Sequence, residues 1–328
     1  MPKVSVIIPT YNYDRFLGEA IHSVLAQTFQ DFELVVVDDG STDNTKQVVS
    51  NFADERIKYI YQQNQGVSAA RNTGISACCG DYVALLDADD VWVPQKLELQ
   101  VKILDSRPDI AAVCSDVYVV DAHTGVTINR FWNDGRRLGT FNPHMAPKKL
   151  LRRLLARGCF IHPSSTIFRR VVFDEVGLFD ESLQTHEVWE LSVRILLHFD
   201  IALIDTPLVK YRQHAANLSA KWHEMEEDGV KVLYKAINTL PLTPDDVRVI
   251  KRRLARNNCE YGSGLVVNDR IPLGREKLLA SIKLNPWNIK PYIYLAGSFL
   301  GSRIILGLKS WKKRTEYHFF RSQPDSTT

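Results

Sequence analysis

Residues Ala84-Leu85-Leu86-Asp87-Ala88-Asp89-Asp90 set three carboxylates directly after an apolar run that begins at Tyr82. Two aspartates one residue apart can share a hard divalent cation, directly or through water. Mg²⁺ or Mn²⁺ takes one or two carboxylates together with phosphate oxygens of a substrate. A D-x-D where a buried strand meets solvent therefore points to a site for a metal and a diphosphate. A turn or a helix N-cap also favours Asp. D-x-D alone is too common to decide between these, so the rest of the chain must.

The elements that would carry those acids can be read from the apolar pattern. Val4 to Ile8 is a continuous apolar run ended by Pro9, as in a strand covered on both faces. Phe16, Leu17, Ala20, Ile21, Val24 and Leu25 recur with a helical period. Glu33 to Val37 is a second buried strand ending in Asp38-Asp39-Gly40-Ser41-Thr42-Asp43, where Gly40 permits a tight turn and the polar residues can cap a helix. A third strand at 57–61, a helix at 67–77 carrying Arg71, and the strand Tyr82–Leu86 complete the alternation. The expected fold class is α/β, a mostly parallel sheet with helices on both faces. Ligands of such sheets bind beyond the carboxyl ends of the strands. Tyr11, Asp39 and Asp87/Asp89 all fall just after strands, so one crevice can collect them. No G-x-G-x-x-G follows the first strand, which disfavours dinucleotide binding of the dehydrogenase kind.

The 328 residues have room for one large domain or two ordinary ones, and 45% hydrophobic with 24% charged content is that of a folded globular protein. A formal net charge of +3 does not argue for nucleic acid. Five cysteines without C-x-x-C or zinc spacing read as buried free thiols in a reducing compartment. The N-terminal apolar run is too short for a signal peptide, and no stretch reaches about 20 uninterrupted apolar residues, the length a transmembrane helix needs.

Four segments, VSVIIPTYN at 4–12, VVVDDGSTDNT at 35–45, NQGVSAARNTGI at 64–75 and YVALLDADD at 82–90, together resemble the successive motifs of family 2 glycosyltransferases with the GT-A fold. The resemblance continues more weakly through PSSTIFRR, VGLFDESL and LVKYRQHAANLS to about residue 220. It implies a nucleotide-sugar donor, a UDP-sugar first, and an Mn²⁺ or Mg²⁺ cofactor. Tyr11 would stack on or hydrogen-bond the base, Asp39 would accept a hydrogen bond from it, and Arg71 would reach the base or the diphosphate. Pro9, Asp87 and Ala88 would line the donor site, and Asp89 would hold the metal. Arg212 and His214, with Asn217 and Ser219, resemble a loop that closes over the diphosphate. His162 lies in a loop where it would meet acceptor or phosphate, or play no catalytic part.

An inverting transfer also needs a base that removes the acceptor hydroxyl's proton. In the resembled family this is the acid of a Glu-Asp pair at a helix start, followed by an aromatic residue and an Arg. Here Glu187, Trp189 and Arg194 match, but Val188 stands where the Asp is expected. Three readings stay open: Glu187 is the base; Glu190, three residues on and on the same helical face, takes the role; or the chain binds donor with impaired transfer. Glu187 ranks first.

Residues 121–147 read as a long loop facing the acceptor, or as a lid. From Trp222 onward helical patterns dominate, at about 222–239, 244–263 and 272–284. Pro291 to Leu308 is largely apolar and is followed by Lys309, Lys312, Lys313 and Arg314, a pairing that suits the surface of an anionic membrane. The expectation is a GT-A domain at 1–220 and a helical extension at 221–328. The protein would act in the cytoplasm with peripheral contact at the inner membrane face through 291–314, on a glycan or lipid-linked acceptor.

Overall fold

Seven residues from Val4 to Thr10 are buried without interruption, as a strand covered on both faces must be. This strand, β1, opens a computed structural model that describes residues 1–133, 146–214, 217 and 222–300. In chain order there follow α1 (Asp14–Leu25), β2 (Phe32–Asp38), α2 (Thr45–Ser50), β3 (Ile57–Tyr61), α3 (Val67–Ala77), β4 (Tyr82–Leu85), β5 (Val91–Trp92) and α4 (Lys96–Ser106). The second half continues with β6 (Ile110–Asp121), β7 (Thr127–Arg130), α5 (Pro147–Arg157), β8 (Thr166–Arg169), α6 (Val171–Val176), α7 (Glu187–His198) and β9 (Asp200–Gln213). Four helices end the described chain: α8 (Trp222–Thr239), α9 (Pro244–Val267), α10 (Ile271–Leu284) and α11 (Lys290–Gly297).

The nine strands form one sheet in the order β3-β2-β1-β4-β8-β6-β9-β5, with β7 paired to β6. β3, β2, β1 and β4 run parallel, as the strand–helix alternation requires. Beyond β4 the sheet turns mixed, because β8 pairs antiparallel with both β4 and β6 while β6 and β9 run parallel. β6 and β9 are each one long strand, and their pairing carries register shifts around Ser115 to Val117. α4 begins at Lys96 because Val91–Trp92 pairs as a short strand against β9, so Pro94 precedes the helix.

The core is built from alternate faces of β1, β2 and β4 against α1 and α4, with Val6, Ile8, Leu34, Val36, Ala84, Leu17 and Leu97 fully buried. α3 lies close on β1 because residue 74 is Gly: a Cβ there would overlap the Cγ2 of Ile7. That contact seats the helix that carries Arg71.

The chain divides into two compact units, Met1–Pro241 and Leu242–Thr328. α8 thus belongs with the sheet, whereas the sequence pattern sets the boundary before it. In the second unit α9 starts on a reciprocal capping box, Thr243 with Asp246, and Cys259, Val266, Leu278 and Tyr294 form a small core. The loop residues 134–145, the 301–314 portion of the proposed membrane segment and Ser219 lie outside the described residues. Among the described residues no helix is long and apolar enough to cross a membrane.

Candidate active site

β1, β2 and β4 end side by side, and the residues that follow them open into one cavity of about 850 Å³. Pro9, Tyr11, Asp39, Arg71, Asp87, Ala88, Asp89 and Glu187 all line it. The size is in the usual range for small-molecule sites.

The turn after β2 is shaped by its own acids. Asp38 accepts from the Ser41 amide at 2.8 Å and from the Tyr59 hydroxyl at 2.6 Å. Gly40 takes φ +84°, and a Cβ there would sit 2.8 Å from the Asn64 nitrogen. The turn after β1 is tied to it: Asn12 donates to Ser41 Oγ at 2.9 Å and accepts from the Thr42 amide at 2.8 Å. Asp39 is buried and already accepts three hydrogen bonds, on Oδ1 from Gln62 Nε2 (2.7 Å) and the Gln65 amide (2.9 Å), and on Oδ2 from the Gly66 amide (2.8 Å). A carboxylate offers about four acceptor positions, so one on Oδ2 is left for a ligand N–H. Tyr11 is 46% exposed at the cavity edge, a free aromatic face.

Arg71 stands at the centre. Its guanidinium is buried and donates through Nη2 to Asp87 Oδ1 at 2.7 Å and through Nη1 to Glu187 Oε1. Burial acts against its charge, but the two carboxylates outweigh it and raise its pKa. Among the described residues its buried Nε–H finds no acceptor. Glu187 is the first residue of α7, launched by His186 in the left-handed conformation (φ +64°). Val188 is 5% exposed and does not line the cavity.

The acids of the D-x-D separate into two donor sets. Asp89 Oδ2 faces His214 Nε2 at 3.1 Å and Asn217 Nδ2 at 3.0 Å. Asp87, Asp90 and His162 bring one ligand atom each within 4.8 Å of one another. Among the described residues His162 Nδ1 finds no hydrogen-bond partner, and burial lowers the ring's pKa, which favours the neutral imidazole that a metal ligand requires. Asp90 is fully buried and takes a hydrogen bond from Ser164 Oγ at 2.6 Å; burial, then the charges of Asp89 and Asp87, raise its pKa. The sequence pattern singles out Asp89 alone as ligand, with no signal for the Asp90–His162 pairing, whose members are far apart in the chain.

Three expected residues sit elsewhere. Glu190 points away from the cavity, its carboxylate taken by Arg194 (Nη2, 2.6 Å) and Lys235 (2.8 Å). It stabilises the α7 end of the fold and is not placed to receive a substrate proton. Arg212 spends its guanidinium on the Asp89 carbonyl, on Glu19 at 2.6 Å and on the Phe16 carbonyl at 3.3 Å, and does not line the cavity. Its amide also reaches Asp90 Oδ1 at 3.2 Å, so it braces the acidic loop from behind. His214 likewise does not line the cavity: it meets the site through Asp89, Asn217 and Tyr13, and stacks on Phe16 at 4.8 Å between ring centres. The cavity also recruits Gln65 and Gly66 of the NQGVSAARNTGI segment and the whole run 181–187, of which Gln184, Thr185 and His186 carry no expected role in the sequence reading.

Comparison with known proteins shows which family and fold the chain shares. An uncharacterized glycosyltransferase of Nostoc sp. is 38% identical over 224 residues, 66% of this chain and 66% of that protein. A Rickettsia felis relative is 34% identical over 69% of this chain, which spans only 37% of that protein's length. Among solved structures, S. aureus TarS in complex with UDP-GlcNAc superposes with a TM-score of 0.70 at 18% identity, covering 95% of this chain and 92% of the other. The Pyrobaculum calidifontis mannosyltransferase PcManGT, solved with GDP-Man and Mn²⁺, gives 0.58 at 19% identity over 91% and 80%. These are GT-A glycosyltransferase structures, and the fold is theirs. The family profile described as glycosyl transferase family 2 matches residues 5–177, and this chain belongs to that family.

Proposed function

We propose that the chain transfers a sugar from a UDP-sugar to a glycan or lipid-linked saccharide, with inversion at the anomeric carbon and Glu187 as base. One observation carries this reading: a single cavity is lined by Tyr11 and Asp39 together with Arg71, which links Asp87 of the D-x-D to Glu187. Tyr11 stacks on the uracil and the remaining acceptor position of Asp39 takes its imide N–H. Arg71 fixes Glu187 through Oε1, and Oε2 bonds no protein group among the described residues. Oε2 takes the proton of the acceptor hydroxyl as its oxygen attacks the anomeric carbon. The bond to the diphosphate then breaks on the opposite face and UDP leaves.

Asp89 with His214 fits a divalent ion: one carboxylate and one imidazole already converge to 3.1 Å, a donor set that Mn²⁺ accepts. When bound, Mn²⁺ or Mg²⁺ offsets negative charge developing on the departing diphosphate. The Mn²⁺ and nucleotide-sugar in the neighbouring structures support this part of the reading. The same reading sets the protein at the inner face of the membrane, with contact through 291–314, where Ile293, Phe299 and Leu300 are exposed.

A second reading, a donor-binding protein with impaired transfer, is favoured by Val188 alone. Release of nucleoside diphosphate from UDP-, GDP- and dTDP-sugars with Mn²⁺ separates the two. Metal-dependent UDP release supports the transferase. Release of GDP or dTDP instead overturns the donor assignment, and binding without release from any donor establishes the second reading.

A further inference from the structure

The run 181–187 lines the cavity along its whole length yet is an irregular loop between α6 and α7. An irregular segment holds a shape only if its backbone polar groups find partners. On the α3 side, Asn72 donates to the Phe179 carbonyl (3.0 Å) and to Glu181 (2.8 Å), and Ser68 donates to the Leu183 carbonyl (3.2 Å). On the other side the partner is a single carboxylate. Oδ2 of Asp228, on α8, accepts from the amides of Gln184 (3.0 Å) and Thr185 (2.9 Å) and from Thr185 Oγ1 (3.1 Å), while Oδ1 takes Lys231 at 2.8 Å.

Asp228 is 3% exposed, and Thr185 is buried as well, so water is not at hand to replace these bonds. The bonded amides lie two and three residues before Glu187, at the turn that becomes the first residue of α7. α8 comes close enough for this at Gly229, where a Cβ would lie 3.3 Å from the His186 ring. Lys235, two turns further along α8, joins Asp180 at one end of the loop to Glu190 beyond the other.

We propose that Asp228 is a positioning residue: by fixing the backbone at Gln184 and Thr185 it aims the Glu187 carboxylate into the cavity. Among the described residues none from α8 lines the cavity, and the helix reaches the site through this loop. The proposal rests on Glu187 being the base.

The test uses the full chain and the variants Asp228→Ala and Asp228→Asn. Amide hydrogen exchange at Gln184 and Thr185 rises by about tenfold or more in Asp228→Ala, and donor binding keeps its affinity and its one-to-one stoichiometry, which reports an intact fold. Turnover per binding site falls by roughly 10- to 100-fold, the loss expected from a small misplacement of a reacting group. Asp228→Asn, which keeps one acceptor oxygen, recovers part of the loss. Unchanged exchange at 184 and 185, or unchanged turnover when exchange rises, overturns the proposal. If the unmodified chain shows no turnover, the reading of the site as a transferase fails, while the exchange result still decides whether Asp228 holds the loop.

Discussion

Glu187 accepts a hydrogen bond from Arg71, and through that guanidinium it is joined to Asp87, which lines the same cavity. A buried cation held by two carboxylates is stable only as a set. The site therefore couples the residue proposed to take a proton to the loop proposed to hold the donor's diphosphate.

Removing the cation should expose that coupling. Arg71→Ala leaves two partly buried carboxylates facing each other and is expected to cost on the order of 3–5 kcal/mol of stability. Arg71→Lys supplies one compact charge where a fork spans two acceptors and should restore only part of it. Thermal or urea unfolding of the two variants checks both, and an Arg71→Ala protein as stable as the parent contradicts the bridging role.

At Asp39 the count of lone pairs makes a prediction. Asp39→Asn turns one acceptor oxygen into a donor facing the Gly66 amide, so both the 62–66 loop and the subsite for the base are disturbed. Hydrogen bonds to charged groups are worth about 1.5–3 kcal/mol, so UDP should bind roughly ten- to a hundredfold more weakly. Calorimetric titration with UDP reads this directly; unchanged affinity removes Asp39 from the donor site.

The two donor sets on the acidic loop give opposite expectations for metal. Mn²⁺ held by Asp89 and His214 is lost in Asp89→Ala and His214→Ala and retained in His162→Ala. Mn²⁺ binding followed by electron paramagnetic resonance distinguishes them. Loss of the ion in His162→Ala, with retention in Asp89→Ala, moves the ion to the Asp87, Asp90 and His162 set.

Much of this site is legible in the sequence because strand ends are legible. Tyr11, Asp39 and Asp87 to Asp89 each follow an apolar run, and a parallel sheet brings such ends together. Arg212 and Glu190 are not legible in the same way. A long charged side chain turns toward whatever counter-charge or carbonyl the fold brings near it, and for these two that is Glu19 and the Asp89 carbonyl, or Arg194 and Lys235, contacts that the sequence reading does not supply. For the same reason the 181–187 wall and its anchor at Asp228 appear only once α8 is seen packed beside α7.

Lys96 offers a test of the core beneath the site. It is fully buried, with its ammonium 4.0 Å from the Trp92 ring centre and hydrogen-bonded to Gln100 at 2.7 Å. Burial outweighs these contacts and lowers its pKa from 10.5 to about 7. Between these values the unfolded chain binds more protons than the folded one, so this residue's contribution to stability rises with pH across the window. The penalty is fully present below pH 7, and each unit of the window is worth about 1.4 kcal/mol at most. Lys96→Met should unfold at higher temperature than the parent at pH 7, with the gap narrowing toward pH 10. A gap that does not change with pH contradicts a buried ammonium.

The central claim is that the base sits at residue 187 and that Val188 does not disable the chain. Its most direct test is metal-dependent UDP release, measured for the parent, Glu187→Gln and Val188→Asp in parallel with donor affinity. The account predicts turnover by the parent, a loss of about 100-fold or more in Glu187→Gln at nearly unchanged donor affinity, and no gain in Val188→Asp, whose new carboxylate would lie in a buried position. Persisting turnover in Glu187→Gln, or turnover that first appears in Val188→Asp, would contradict it.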